Sequence, residues 1–248
     1  MKEWFENEEF WIEMYPYLFT EERLEDAEEQ VEKIIELAGV KGGNVLDLCC
    51  GPGRHSVVLA RRGFFVTGVD RSPFLLEKAK VRAKAEGVSV DWVQQDMREF
   101  SRPGHFNLVI NMFTSFGYFD DRKDDLLVLR NIYESLVPQG VCVIDVIGKE
   151  RLAGMFMPTT SDKFDDGTLL IQRHEIYDDW SRIRNEWILL RGDRAQTFDF
   201  HHSVYSGQEL KGLLSQTGFS EIRLFGNLDG DEYGRKARRL IAVARKAA

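Results

Sequence analysis

Residues 44–54 read Asn-Val-Leu-Asp-Leu-Cys-Cys-Gly-Pro-Gly-Arg, and this stretch decides the fold. Its first half is apolar apart from Asp47, the pattern of a short strand buried on both faces. Gly51, Pro52 and Gly53 then turn the chain into a helix. A second landmark follows at Val66-Thr67-Gly68-Val69-Asp70, which reads as the next strand and again ends on an acid. Strand, glycine turn, helix, strand and acid in this order is how an open α/β sheet grips the adenosine end of a cofactor.

Two cofactors compete for this turn. Gly51-Pro52-Gly53-Arg54-His55-Ser56 nearly matches a dinucleotide fingerprint, with Ser56 in place of the third glycine and Asp70 about 20 residues on, where a ribose-binding acid belongs. That match would make the chain an NAD-dependent oxidoreductase. Three details point elsewhere. Pro52 removes a backbone N–H from a turn that a pyrophosphate needs rich in donors. Asp47 would repel a phosphate but suits a cationic amino group. A third acid, Asp96, follows the next apolar run in Val93-Gln94-Gln95-Asp96-Met97. Three strand-end acids suit a ligand carrying an ammonium, a ribose diol and an adenine amine, and S-adenosylmethionine has all three.

Here the chain resembles the class I S-adenosylmethionine-dependent methyltransferases. The matching stretches are Val45 to Ser56, Val66 to Ser72, Gln95-Asp96-Met97-Arg98, Phe106-Asn107-Leu108-Val109-Ile110-Asn111 and Leu136-Val137-Pro138-Gln139-Gly140-Val141. They stand in the family's order, over residues 30–147 and 206–246. One departure is Cys49, where the family usually has the first glycine of its loop. The resemblance implies an α/β fold with a Rossmann-like, seven-stranded, mostly parallel sheet, helices on both faces and a reversed last strand. It also implies S-adenosylmethionine as methyl donor and S-adenosylhomocysteine as product; with no Cys-x-x-Cys and no His-Glu-x-x-His in the sequence, no metal is expected. Two alternatives remain open: a protein that binds S-adenosylmethionine without catalysis, and an NAD-dependent oxidoreductase.

The bulk numbers agree with one large domain. The chain has 248 residues, 43% of them hydrophobic, enough for a real core. Its 41 acids against 33 bases leave a net charge of −8, which argues against a nucleic-acid surface. Arg235, Lys236, Arg238, Arg239, Arg245 and Lys246 form a basic cluster that reads as the solvated flank of a last strand. Three cysteines make no disulfide framework and fit a reduced, cytoplasmic setting. The acidic, aromatic N-terminus lacks the pattern of a signal peptide, and no apolar run is long enough to span a membrane.

Strands are expected near 44–48, 65–69, 89–94, 106–111 and 140–147. Phe10, Trp11, Met14, Tyr15 and Leu18 lie at helical spacing, with Pro16 placed to kink or end that helix. Thr20 caps a second helix whose stripe is Leu24, Ala27, Val31, Ile34 and Ala38. Asp124 to Val137 read as the helix before the fifth strand. Residues 151–205 break the α/β pattern. Thr168–Tyr177, Arg182–Arg191 and Arg194–Tyr205 read as three strands of an antiparallel β meander. The expected organisation is therefore an N-terminal helical cap over 1–40, a cofactor domain over 41–150 and 206–248, and an inserted β subdomain over 151–205. The insert would be a cap or the interface of a homodimer.

Candidate site residues follow from chemistry and from the resemblance together. Gly51 and Gly53 allow close approach of backbone to ligand, and Cys49 sits in the same loop. Asp70, followed by Arg71, is placed to accept from both ribose hydroxyls. Asp96 is placed to accept from the adenine amine, with Met97 near the ring. Asp47 and Arg54 flank the methionine moiety, one charge for its ammonium and one for its carboxylate. Asn111 ends the fourth strand beside the transferable methyl. The loop Met112-Phe113-Thr114-Ser115-Phe116-Gly117-Tyr118-Phe119 follows, so Phe116 and Tyr118, with Tyr15 and Tyr205, are candidate walls for a small-molecule acceptor. Their other reading is plain packing. The loop is no Asn/Asp-Pro-Pro-Tyr/Phe motif, which counts against methylation of adenine or glutamine amides. Strand alternation puts His202 with Phe198, Phe200 and Val204, and His201 on the other face. His202 is the candidate catalyst, its competing reading a packed core histidine.

Overall fold

The structure is a computed structural model and describes residues 3–248. Helices α1 (Glu8–Leu18), α2 (Glu21–Glu25) and α3 (Ala27–Ala38) precede an alternating run: β1 (Asn44–Leu48), α4 (Arg54–Arg61), β2 (Phe65–Asp70), α5 (Pro73–Ala85), β3 (Asp91–Gln94), β4 (Phe106–Asn111), α6 (Arg122–Ser135) and β5 (Leu136–Val146). Then come α7 (Lys149–Met155), four strands β6 (Thr159–Lys163), β7 (Leu169–Tyr177), β8 (Arg182–Arg191) and β9 (Arg194–Ser203), and the closing α8 (Gly207–Thr217), β10 (Phe219–Phe225) and β11 (Leu240–Lys246).

Seven strands form the main sheet in the order β10-β11-β5-β4-β1-β2-β3. Every neighbouring pair is parallel except those made by β11, which runs against both β5 and β10. Alternation along the strands divides the core in two. Leu46, Val109, Cys142 and Ile144 face α6 and α8, packing on Leu129, Ile132, Leu210 and Leu214. Their neighbours Val45, Leu108, Val141 and Val143 face α3 and α4 on the other side. A strand buried on both faces has no polar stripe, which is why these segments read as continuous apolar runs. Strand order reverses between β1 and β4, and a crevice at the carboxyl ends of such a pair is where open α/β sheets bind ligands.

The second sheet is antiparallel, in the order β6-β7-β8-β9. The chain leaves the main sheet after β5 and returns at Tyr205, which bridges Gly148 in parallel. Exit and re-entry are thus adjacent, as in an insertion. The α1 helix packs on this second sheet: Phe10, Met14 and Tyr17 share a core with Leu170, Leu189, Phe198 and Phe200.

Several local expectations are corrected. The meander has four strands, because Thr159–Lys163 adds an edge strand of mostly exposed polar residues with no alternation to reveal it. Pro16 does not end α1, which continues to Leu18; so near the C-terminus, proline costs one hydrogen bond only. The helix after Thr20 breaks at Asp26 into α2 and α3. The helix before β5 starts two residues earlier than expected, with Asp121 accepting from the Lys123 N–H as its cap, and stops at Ser135, where β5 begins directly.

Candidate active site

One cavity of ≈ 750 Å³ opens at the carboxyl ends of β1, β2 and β4 and extends to the face of the second sheet. One end of it is built by the loop after β1. Cys49 has a left-handed backbone (φ 62°), as do Gly51 (φ 54°) and Gly53 (φ 74°). A residue with a Cβ held in that conformation costs about 1–2 kcal/mol, which accounts for glycine being usual at the position of Cys49. The Cys49 sulfur lies 3.4 Å from the Met97 sulfur, and both residues line the cavity. Burial and the nearby carboxylates of Asp70, Asp96 and Asp47 push the Cys49 thiol well up, so it is a neutral wall.

The two glycines do different work. A Cβ on Gly51 would meet only the Phe19 ring, at 3.6 Å, an ordinary contact. A Cβ on Gly53 would come within 2.7 Å of Trp92 and 3.0 Å of the Ala79 Cβ. Gly53 therefore permits tight packing of the turn on β3 and α5, and it is not on the cavity wall. The expectation of ligand contact there is corrected to close approach between protein elements.

Asp70 ends β2 with one oxygen accepting from the Gly51 N–H (2.8 Å) and the other from the Ser72 N–H (2.9 Å). These bonds fix the carboxylate plane and leave each oxygen further acceptor capacity. Burial pushes its pKa up to about 6, against the opposing donors from Ser72 and Gly51. Asp47 lies deeper and accepts from the Ser56 hydroxyl at 2.6 Å. Burial raises it also to about 6, against the Ser56 bond and the Arg54 charge. Asp96 behaves oppositely. Burial favours its neutral form, but hydrogen bonds from Arg98 and the charges of Arg98 and Arg71 hold it below its ordinary value. It accepts the Arg98 N–H at 2.8 Å, two Arg98 guanidinium N–H groups at 3.0 and 2.8 Å, and Arg71 at 2.9 Å. Arg71 also pairs with Glu6, and Arg98 with Glu3.

Arg54 lies with its guanidinium 3.7 Å from the centre of the Phe113 ring and donates to the Arg23 carbonyl at 3.3 Å. Burial lowers it to about 10, with Asp47 opposing. Arg23 lines the cavity beside it. Nothing in the sequence marked Arg23, because an arginine in a Glu-rich amphipathic helix looks solvated. Asn111 is fully buried and does not line the cavity; its Nδ2 donates to the Leu48 carbonyl at 3.0 Å, tying β4 to β1 at the switch point. Beyond it, Phe113 (φ 58°) and Thr114 (φ 65°) are both left-handed. Asp145 on β5 holds that kink: its carboxylate accepts from the Phe113 N–H (3.1 Å) and its carbonyl from the Thr114 N–H (2.8 Å). Arg239 locks Asp145 in turn at 2.6 Å. Arg239 was read as part of a solvated basic flank and instead reaches the cavity wall.

The acceptor candidates separate into two groups. Tyr118 lines the cavity, 4.6 Å centre to centre from Trp4. Phe116, Tyr205 and Tyr15 do not line it. Phe116 is 1% exposed and packs on the Tyr205 ring at 5.5 Å. The Tyr205 hydroxyl donates to the buried carboxylate of Asp125. Tyr15 packs on Phe19 and Phe74. These three are packing residues, the other reading open for them in the sequence.

One face of the second sheet completes the cavity. Register places His174, Asn185 and Phe200 in one cross-strand row, Gln172 and Trp187 in the next, and Ile183 opposite His202. All seven line the cavity. His201 points away and meets Asp120 at 2.6 Å, as alternation predicts. His202 Nδ1 lies 3.0 Å from the Ser203 carbonyl. A carbonyl only accepts, so Nδ1 carries the proton and Nε2 is a bare acceptor. Burial lowers His202 to about 4. His174, which sequence reasoning passed over, has Nδ1 2.7 Å from Asn185 Oδ1.

Comparison with known proteins agrees with this geometry. A family model described as a methyltransferase domain matches residues 45–140. The Bacillus subtilis (strain 168) protein YqeM, which bears a methyltransferase name, is 28% identical over 224 residues, 88% of this chain and 90% of the relative. The glycine/sarcosine N-methyltransferase of Halorhodospira halochloris is 34% identical over 187 residues, 74% of this chain and 68% of that protein. Among solved structures, the CcbJ methyltransferase from Streptomyces caelestis superposes with a TM-score of 0.76 at 20% identity, covering 90% of each chain.

Proposed function

We propose that this chain, which belongs to the class I S-adenosylmethionine-dependent methyltransferases, methylates a small-molecule acceptor enclosed between its main sheet and its second sheet. The observation that carries the acceptor half is the single cavity that joins the acid-lined loop after β1 to the aromatic face of β7–β9. A space of ≈ 750 Å³ fits a cofactor plus a small partner. The name of the Halorhodospira relative also specifies small acceptors.

The residues present fit the donor. Asp70, fixed by Gly51 and Ser72, has acceptor capacity for a ribose diol. Asp47 supplies a carboxylate for an ammonium, and Arg54 with Arg23 supplies cations for a carboxylate. Asp96 and Met97 border the place for an adenine. Asn111 and Gly53 act one step back, the first by holding β1 and β4 together and the second by seating the turn. When bound, S-adenosylmethionine supplies a methyl group on a sulfonium that leaves without activation. The chain must then hold the acceptor in line, exclude water and accept any proton the acceptor loses. Trp4, Phe10, Trp11, Trp187 and Phe200 wall the acceptor half and keep it dry, and His202 Nε2 is available as proton acceptor.

Calorimetry tests the donor: S-adenosylhomocysteine should bind in the micromolar range or better, on the order of −8 kcal/mol. A metabolite extract incubated with methyl-labelled donor tests the transfer, with label appearing in a low-molecular-mass product. Binding of donor with no labelled product from any extract would leave a binding protein and overturn the enzyme's proposed acceptor class.

A further inference from the structure

Charge is distributed unevenly around the cavity. Its carboxylates, Asp26, Asp47, Asp70 and Asp96, all come from the chain before β4. From β4 onward, among the described residues, the wall carries no carboxylate and two arginines, Arg151 and Arg239. Topology keeps the two sets apart. Asp70 ends β2. Arg239 directly precedes β11, whose first residue, Leu240, pairs with Val146 at the carboxyl end of β5. β2, β1, β4, β5 and β11 are successive neighbours, so at about 4.8 Å per strand β11 lies roughly 19 Å across the sheet from β2. The arginines therefore stand at the end of the cavity away from the ribose acid.

Each arginine has donors to spare. Arg239 gives Nε to Asp145 at 2.6 Å and Nη2 to the Thr114 hydroxyl at 2.8 Å, which leaves Nη1 without a partner among the described residues. Arg151, on α7, gives Nη1 to the Arg238 carbonyl, which holds it beside Arg239 and leaves Nε and Nη2 free. These free nitrogens are not sealed in the protein: none is a buried atom, and the Arg239 side chain keeps 23% exposure. Asp145 balances one of the two charges on the wall and nothing balances the other. Burial and the charges of Arg239 and Arg238 lower Arg151, the effect of a cation crowded by cations. A single negative charge relieves that crowding, and a carboxylate matches the planar fork of a guanidinium. A phosphate dianion would bring more charge than the pair leaves open.

Resting on the methyltransferase reading above, we propose that Arg151 and Arg239 form an anion subsite for the acceptor, and that the acceptor is a small molecule carrying one carboxylate. Arg151 Nε and Nη2 and Arg239 Nη1 donate to that carboxylate and anchor it beside β5 and β11. The rest of the acceptor then lies along the aromatic face of the second sheet, which lines the same cavity. The subsite adjoins the arginine assigned to the donor's own carboxylate without being it: the Phe113 ring centre is 3.7 Å from the Arg54 guanidinium and 5.6 Å from that of Arg239. Donor and acceptor each keep a cation of their own, so the methionine tail of the donor does not have to share Arg151.

Calorimetry on the full chain saturated with S-adenosylhomocysteine tests this, with phenylacetate, phenylacetamide and phenyl phosphate as probes. Phenylacetate should bind, the uncharged amide roughly tenfold more weakly or less, and phenyl phosphate no tighter than phenylacetate. Arg151→Gln should weaken phenylacetate roughly tenfold and leave S-adenosylhomocysteine affinity at the wild-type value. Arg151→Lys, which keeps the charge and loses the fork, should recover part of the loss. With methyl-labelled donor and a metabolite extract, the labelled product should be retained by an anion-exchange resin at neutral pH. Equal affinity for phenylacetate and its amide overturns the proposal, as does phenylacetate affinity unchanged in Arg151→Gln, or labelled product that passes the resin unretained. Tighter binding of phenyl phosphate overturns the choice of a carboxylate. A fall in S-adenosylhomocysteine affinity in Arg151→Gln also overturns it, by assigning Arg151 to the donor. Failure of S-adenosylhomocysteine to bind the wild-type protein would instead remove the methyltransferase reading beneath it.

Discussion

Asp70 shows how one side chain on the cavity wall is set by local structure. Its two backbone donors orient it before any ligand arrives, so little ordering remains to be done on binding. Asp70→Ala should weaken S-adenosylhomocysteine by about 1.5–3 kcal/mol in a protein that still folds, and calorimetry showing unchanged affinity would remove Asp70 from the site. The pH dependence follows from the same residue and Asp47. Both are raised to about 6, so both are ionised at neutral pH and protonate below about 6. Affinity should be flat above pH 7 and fall on acidification through about 6. In the free protein the sign is reversed. Carboxyls raised above their unfolded value contribute stability at low pH that is lost as pH rises through the folded pKa. The melting-temperature increase given by saturating ligand should therefore grow between pH 5 and pH 7, and Asp47→Asn should flatten the trend. At this scale the sequence was informative about acids and less so about glycines. Asp47, Asp70 and Asp96 all reach the cavity because strand ends at a switch point have one place to go. Gly51 and Gly53 looked equivalent, and only the packing of Trp92 and Ala79 separates them.

The segment before α1 is the element whose role the sequence concealed. Glu3 pairs with Arg98 and Glu6 with Arg71, the two arginines that hold Asp96. Phe5 lies under both guanidiniums, 5.6 and 5.8 Å from its ring centre. Acids beside an N-terminal aromatic run read as a solvated face, since their partners are more than 60 residues away in sequence. The arrangement ties the N-terminal segment to the Asp96 end of the cavity. Partly exposed ion pairs are individually weak and salt-sensitive, so we propose that this segment gates the site. The double variant Glu3→Gln, Glu6→Gln should release S-adenosylhomocysteine several-fold faster than wild type in stopped-flow fluorescence. The rate difference should shrink at high salt, where the wild-type pairs are screened as well. Equal release rates at low salt would show that the segment does not gate the site. The β6 strand went unread for a related reason: an exposed edge strand carries neither of the periodicities that local reasoning detects.

At the level of the whole molecule, the two sheets are legible in the sequence as two patterns, continuous apolar runs and alternating ones, but their juxtaposition is not. The aromatic wall of the cavity joins Trp4 and Phe10 to Trp187 and Phe200, residues far apart in sequence, and no local pattern encodes such a contact. Outside α1, the second sheet is tied to the rest of the chain mostly through the loop before α6, where His201 also meets Asp120. Arg182 donates to the Phe119 and Asp120 carbonyls and to the Asp120 carboxylate, and the Ser203 N–H donates to Gly117 at 2.7 Å. The third core, by contrast, is continuous from α1 into β7, β8 and β9. This division predicts that α1 and the second sheet open together, as one unit less stable than the main sheet. Phe10 is the place to test it, since its ring centre is 4.9–6.0 Å from those of Trp4, Trp11, Trp187, Phe198 and Phe200. Phe10→Ala should cost about 3–5 kcal/mol within that unit. Hydrogen exchange should then accelerate in residues 8–18 and 169–203 together, while β1, β4 and β5 keep their wild-type protection. Acceleration confined to α1 would mean that the helix merely rests on the second sheet. Acceleration throughout, main sheet included, would mean that the chain has one cooperative core and that the acceptor cavity cannot open without unfolding the cofactor site.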